Sequence, residues 1–234
     1  MGKKRGRPVQ IMRHLAVFFH ARLSGGNANI NPVTAYPQFR EQMNLLRSTG
    51  LYNASHELYI GLNGDDADFV RDIPPPGAVL LEHGNAESLL PTCHFIEKWL
   101  PKHPDWFLCF HHTKGITHPT DPLNIAWRRC MEHCVIRNWF RCVEALDSGC
   151  DSAGAHWLTS EKYGPHVGTP IWGGMFFWVT AKFLMTLPKL PAGITKKDDW
   201  FLPERWIGSG AVRPKVRDFA DHWPRIIACT ENLG

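Results

Sequence analysis

Apolar residues fall along this chain in short blocks, set apart by turn-forming residues. Leu15-Ala16-Val17-Phe18-Phe19 is a continuous apolar run of strand length, closed by His20, and predicts a buried strand. The Gly- and Asn-rich stretch from Ser24 to Asn31 follows as a loop. Between Pro37 and Thr49, the residues Phe39, Met43, Leu45 and Leu46 recur among polar ones as in an amphipathic helix, with Gly50 placed to stop it. Glu57–Leu62 predicts a second strand, ended by Asn63-Gly64, and Ala78–Leu81 a third, after the Pro74–Gly77 breaker. Leu89–Leu100 reads as a helix, Trp106–Phe110 as a fourth strand, and Trp127–Leu146 as one long helix closed by Gly149. From Cys150 onward the pattern loosens into Gly-, Pro- and Trp-rich segments, with Met175–Leu187 as the clear apolar stretch.

Strands alternating with helical segments predict an α/β fold: a mostly parallel central sheet flanked by helices, followed by a Gly/Trp-rich second half. In such sheets ligands collect at the carboxyl ends of the strands. That rule draws attention to His20, to Asn63–Asp68, to His83-Gly84-Asn85 and to His111–Gly115.

Composition narrows the picture. With 44% hydrophobic and 21% charged residues, the chain is not a disordered one. Leu15–Phe19 is far shorter than the roughly 20 apolar residues of a spanning helix, and no cleavable leader follows it. The 7 Cys are odd in number and scattered, so no disulfide framework is expected, and a cytoplasmic protein without a membrane span is. A net charge of +4 is too mild for a nucleic-acid coat. Met1–Gln10 reads as a flexible basic arm in which Arg5-Gly6-Arg7-Pro8 resembles the core of an AT-hook; a solvated tail and a minor-groove contact to nucleic acid both stand as readings. Trp is over-used, at 10 residues, which fits either an aromatic core or a groove for a flat or sugar-like ligand.

Four constellations could carry chemistry. Phe110-His111-His112-Thr113-Lys114-Gly115 ends the fourth predicted strand. Its hydroxyl and Lys offer hydrogen bonds and charge to an anion, and its Gly lets the backbone come close; the plain alternative is a loop that turns at Gly115. Asp66-Ala67-Asp68, after Asp65, has the D-x-D spacing that holds a divalent cation, or it is an acidic turn. Gly173-Gly174-Met175-Phe176-Phe177-Trp178 and Trp200–Trp206 combine close-approach glycines with aromatic faces around Glu204, whose carboxyl an apolar setting would make a general base; the alternative is an aromatic core. His111, His112, His118, Cys130, His133 and Cys134 form no ordinary zinc pattern, because Cys130 and Cys134 share a helix face that His133 does not.

Several of these segments, taken in order, resemble a set of small glycosyltransferase-like proteins. Their sequences run: a short strand ending in His, "eQl.ll..sGLy", a strand ending "nG", an Asn/Glu–Thr/Leu segment, "HTKG", "WR..M", a Gly–aromatic–Trp segment and "E.W". Here the pieces are Phe18-Phe19-His20, Glu41–Tyr52, Tyr59–Gly64, Asn85–Leu90, His112-Thr113-Lys114-Gly115, Trp127–Met131, Gly174–Trp178 and Glu204-Arg205-Trp206, over roughly residues 14 to 208. The resemblance implies a GT-A-type fold, with a donor-binding half over about residues 11–150 and an acceptor half over about 151–234. It also implies transfer of a sugar from a nucleotide-diphosphate donor to a hydroxyl of a glycan or similar acceptor.

Residue by residue, the resemblance puts the donor against His20, Asn63, Gly64, Asp65, Glu87, His112, Thr113, Lys114, Gly115 and Arg128. Lys114 and Arg128 would steady the leaving diphosphate. Trp172, Gly173, Gly174, Trp178 and Trp206 would present the acceptor, and Glu204 or Asp199 would take its proton. Mn²⁺ or Mg²⁺ would sit on Asp66 and Asp68. Three departures matter. Met175 stands where the family usually has Asn, His111 replaces the aromatic of "YlHTKG", and the fourth strand ends in His112-Thr113-Lys114 rather than a D-x-D. Lys114 would then neutralise the departing diphosphate in place of a metal. Two other readings stay open: glycosylation of modified DNA bases with the help of the basic arm, and a binding module that has lost catalysis.

Overall fold

The computed structural model describes residues 13–23, 32–63, 70, 72–84, 88–164, 168–193 and 202–220. The basic arm, the 24–31 loop, Gly64, Asp65, Asp66, Asp68, Glu87 and Asp199 lie outside the described residues. The elements run β1 (Leu15–Arg22), α1 (Pro32–Ser48), α2 (Leu51–Ala54), β2 (Glu57–Asn63), β3 (Val79–Glu82), α3 (Leu90–Trp99), β4 (Phe107–His112), α4 (Pro122–Glu132) and α5 (Trp139–Asp147). They continue with β5 (Ser152–Gly154), β6 (Trp157–Leu158), α6 (Ser160–Tyr163), β7 (Ile171–Trp172), β8 (Phe177–Thr180), α7 (Ala181–Leu184), α8 (Leu202–Trp206) and β9 (Val216–Asp218).

Seven strands form one sheet in the order β3-β2-β1-β4-β8-β5-β9. β1 pairs in parallel with both β2 and β4, and β2 with β3. β8 is antiparallel to β4 and β5, and β5 is parallel to β9. β1 can occupy the middle because both its faces are apolar. Val17 and Phe19 join a core with Phe39, Met43 and Leu46 of α1 and Val143 and Leu146 of α5. Ala16 and Phe18 join a second core with Ile96 and Trp99 of α3 and Phe183 and Leu184 of α7. Helices therefore cover both faces of a mostly parallel sheet, as the alternating pattern predicts. Among the described residues no helix is long and apolar enough to cross a membrane.

Two predicted elements are corrected. The single helix over Trp127–Leu146 starts earlier, at Pro122, where the Asp121 side chain accepts the Leu123 N–H at 2.9 Å. It then breaks. His133–Arg137 widens into a π turn, and Asn138 leaves helical geometry while its side chain donates to the His133 carbonyl at 2.8 Å. Met175–Leu187 also divides, into β8 and α7, at Thr180, whose hydroxyl oxygen accepts the Phe183 N–H.

The tryptophans assigned to the acceptor belong to the core instead. Trp172 and Trp178 are fully buried, and Trp206 nearly so. Each indole N–H is taken up inside: Trp172 by Ser152 Oγ (2.9 Å), Trp178 by the Val135 carbonyl (3.0 Å) and Trp206 by the Pro188 carbonyl (3.1 Å). A ring with both faces packed and its donor satisfied has nothing left for a ligand. Trp178→Phe removes the hydrogen bond to the Val135 carbonyl and leaves a gap in a packed core, so it should lower unfolding free energy by about 2 kcal/mol in urea titrations.

Candidate functional site

The strand order reverses at β1, with β2 on one side and β4 on the other, and at such a switch point a crevice opens beyond the carboxyl ends of the strands. Here that crevice is a cleft of about 160 Å³, lined by His20 and Arg22 from β1, by Ser88 and Leu89, by the segment His112–Thr117 and by Glu204. It is smaller than a typical whole-ligand pocket of about 300 Å³ or more, so the described walls suit one charged part of a larger ligand.

The chain leaving β4 is held from two sides. Thr113 N–H donates to the His20 carbonyl (3.1 Å), and the Thr113 hydroxyl accepts the Arg22 N–H (3.0 Å), which extends the β1–β4 pairing past the ladder. From α1, the Gln38 amide donates to the Lys114 carbonyl (2.9 Å) and the Gln42 amide to the His112 carbonyl (3.3 Å). Gly115 turns the chain at φ 78°, a left-handed conformation that glycine adopts readily. With its backbone fixed, Lys114 sets its ammonium 4.2 Å from the centre of the Trp127 ring.

Glu204 reaches the same cleft from α8. Trp206 anchors that helix, and Gly208 lies so close to the Pro170 carbonyl that a Cβ there would collide with it. Lys114 and Glu204 are both half-buried. Burial lowers the Lys114 pKa, against the pull of Glu204, and burial raises the Glu204 pKa, against Lys114 and Arg205. Desolvation thus outweighs attraction at both groups, and each is shifted toward the range where it exchanges protons.

Beneath the cleft runs a buried hydrogen-bonded chain. Asn63 Nδ2 donates one hydrogen to the Ser88 carbonyl (3.0 Å) and the other to His20 Nε2 (3.1 Å). His20 Nε2 is therefore an acceptor, so the neutral ring carries its hydrogen on Nδ1 and donates to Thr92 Oγ1 (2.8 Å). The Thr92 hydroxyl is then free to donate to His83 Nε2 (3.0 Å). Gly61 makes room for the chain: a Cβ there would run into Thr92 Oγ1 and lie 2.9 Å from His83 Nε2. Burial first, then His112, His83 and Arg22, hold the His20 pKa well below the usual histidine value.

The structure brings His20, His112, Thr113, Lys114, Gly115 and Glu204 to one cleft. His20 shapes it without an open nitrogen. Asn63 lies in the buried chain rather than on the wall. Arg128 is the clear correction. It is buried, and its Nη1 donates to Glu132 (2.9 Å) and Glu41 (3.2 Å), so its charge is spent on a packed ion network rather than on a diphosphate. Gly173 is packed under Leu158, and Gly174 enters the site through its carbonyl, which accepts from His112 Nε2 at 2.9 Å. Met175 has φ 56°, in the left-handed region that Asn tolerates and that costs other non-glycine residues about 1–2 kcal/mol. No local signal in the sequence marks Gln38 or Thr92 as part of the site. Gln42 was visible in the Glu41-Gln42 segment, but not its role. Among the described residues no group of three or more His, Cys, Asp or Glu side chains is arranged to hold a metal ion.

No protein-family model matches the sequence, and no curated protein matches it. Among solved structures the chain is similar to a putative nucleotide-diphospho-sugar transferase from Desulfovibrio desulfuricans G20, at 11% identity and TM-score 0.42, covering 89% of this chain and 80% of that one. It is similar to a 4-diphosphocytidyl-2C-methyl-D-erythritol synthase, at 13% identity and TM-score 0.42, with 88% of each chain covered. A homologue of Mycobacterium tuberculosis Rv0371c from Mycobacterium sp. strain JC1 aligns at 16% identity and TM-score 0.44, over 86% of this chain and 84% of that one.

His111 makes the site region acid-sensitive. Its ring stacks on Phe19 at 4.4 Å, fully buried, with both nitrogens unpartnered. Burial holds His111 and His112 to pKa values of about 3, helped at His111 by the nearby His112 ring and at His112 by Lys114, and His20 is lowered too. In the unfolded chain these rings take protons below about pH 6.5, while the folded ones refuse them down to about pH 3. The stability they support is complete above pH 6.5 and is lost as the pH falls, by up to about 1.4 kcal/mol per pH unit for each ring. His111→Phe keeps the stack and removes two unsatisfied nitrogens. Calorimetry should find it more stable at pH 7, with the gap widening at pH 5.

Proposed function

We propose that this chain is a nucleotide-sugar-dependent transferase that moves a sugar from a nucleotide-diphosphate donor to a hydroxyl acceptor. The observation that carries the reading is the pairing of Lys114 and Glu204 across one cleft at the switch point of the sheet. A diphosphate leaving group needs positive charge where its own charge develops, and Lys114, with Arg22 beside it, lines that wall. An acceptor hydroxyl needs a base, and a carboxylate with a raised pKa is a stronger base than an exposed one. The resemblance carried by the HTKG, WR..M and E.W segments points the same way.

For an inverting displacement the balance is simple. Glu204 takes the hydroxyl proton as the acceptor oxygen bonds to the anomeric carbon. The bond from that carbon to the diphosphate oxygen breaks, and the electron pair leaves with the diphosphate beside Lys114. Mn²⁺ or Mg²⁺ on Asp66 and Asp68, which lie outside the described residues, stays a separate proposal.

Thermal-shift titration with nucleoside diphosphates and their sugars, with and without Mn²⁺, tests the binding half. One nucleotide should raise the midpoint, by about 2.7 kcal/mol of stabilisation at a hundredfold excess over Kd. Lys114→Ala should weaken that binding about 10- to 100-fold, as expected for losing a charged hydrogen bond. Glu204→Gln should leave it within about threefold while lowering kcat by about 10²–10⁴. Release of nucleoside diphosphate during turnover supports sugar transfer; release of pyrophosphate instead would replace it with nucleotidyl transfer. Absence of any shift across the panel would overturn the reading.

A further inference from the structure

Lys114 and His112 line the same wall of the cleft and offer it opposite things. Lys114 brings charge and donors only. His112 Nε2 lies 2.9 Å from the Gly174 carbonyl oxygen. A carbonyl can only accept, so the ring hydrogen is on Nε2. Burial and the Lys114 cation hold the ring's pKa to about 3, so at neutral pH Nδ1 carries a bare lone pair. No described residue pairs with that nitrogen, and it is not sealed in the core as the nitrogens of His111 are.

The ring is set in place from both ends. Gln42 holds the His112 carbonyl, and the Gly174 carbonyl that fixes the tautomer is itself aimed by two consecutive left-handed residues, Gly174 (φ 84°) and Met175 (φ 56°). Gly174 is wedged against Met131, where a Cβ would stand 2.6 Å from the sulfur. With Met175 held in a conformation unusual for its type and Gly174 packed this tightly, the segment keeps a geometry that a free loop would not keep.

A fixed lone pair repels a phosphate oxygen and attracts a hydroxyl hydrogen. We infer that His112 is the specificity residue of the cleft: its Nδ1 accepts a hydrogen bond from a ring hydroxyl of the sugar, while the phosphate oxygens go to Lys114. The inference rests on the reading of the cleft as a sugar-diphosphate site and adds which group sits where. It makes the ligand one that carries a hydroxyl donor close to its phosphate, and it excludes a bare anion as the preferred occupant.

Two substitutions separate the two nitrogens. In His112→Gln the amide can still donate to the Gly174 carbonyl, but nothing replaces Nδ1. In His112→Asn the side-chain oxygen falls near the Nδ1 position and can still accept, but the bond to Gly174 is lost. The probes are inorganic pyrophosphate, the 1-phosphates of glucose, galactose and mannose, and cyclohexyl phosphate, which has the ring without the hydroxyls. Binding is followed by calorimetry, and circular dichroism checks that each variant is folded.

The wild type should bind one hexose phosphate about tenfold more tightly than cyclohexyl phosphate, the size expected for leaving one buried acceptor unpaired. His112→Asn should keep most of that preference. His112→Gln should lose it while binding pyrophosphate within about threefold of the wild type. A preference that survives in His112→Gln overturns the inference, as does an equal loss of pyrophosphate binding, which would make His112 a phosphate residue. Wild type that binds pyrophosphate but no hexose phosphate preferentially overturns this inference alone. Wild type that binds none of the probes overturns the sugar-diphosphate reading as well.

Discussion

Where β4 ends, its ladder to β1 runs out, and the backbone groups of His112, Thr113 and Lys114 must find partners elsewhere. The Lys114 N–H turns back to the His112 carbonyl, β1 takes the Thr113 N–H, and two glutamines of α1 donate to the carbonyls of His112 and Lys114. A buried polar backbone group left unpaired is costly, so this clamp is as much a requirement of folding as of function. It also fixes the direction in which Lys114 leaves the sheet. The polar network behind it follows from the clamp. Gln42 also reaches Glu132, Glu132 pairs with Arg128, and Arg128 pairs with Glu41, so two helices far apart in sequence tie into one end of one strand.

Charge in the cleft is governed by water exclusion. Lys114 and Glu204 line one cleft and attract each other, yet burial lowers the pKa of the first and raises that of the second. The histidines behave alike for the same reason. A charged ligand that enters such a cleft meets less screening than it would in open water, so the charges that line it act on the ligand more strongly.

Much of the sheet was legible in the sequence, because strands buried on both faces read as apolar runs and their ends carry polar residues. Leu15–Phe19, Glu57–Leu62 and Trp106–Phe110 fall inside β1, β2 and, but for Trp106, β4. The cleft was legible through His112–Gly115 and Glu204, since a Lys at a strand end and a Glu among aromatics are local signals. What was not legible depended on long-range partners. Arg128 looked available until Glu41 and Glu132 were brought beside it. Trp172 and Trp178 looked like ligand platforms because composition cannot tell a buried indole from an exposed one. The break at Asn138 was hidden because the apolar spacing carries on through the π turn.

The placement of β8 has a consequence for synthesis of the chain. β4 gains its second neighbour only through Phe177–Thr180, about 70 residues downstream. Until that segment leaves the ribosome, an apolar strand edge at Phe107–Phe110 stands open, for roughly 4–14 seconds at ordinary elongation rates of about 5–20 residues per second. Open edges of this kind recruit other chains. In the interval between the emergence of β4 and that of β8 the cleft residues from β1 and β4 are already made, while the strand that covers the free edge of β4 is not.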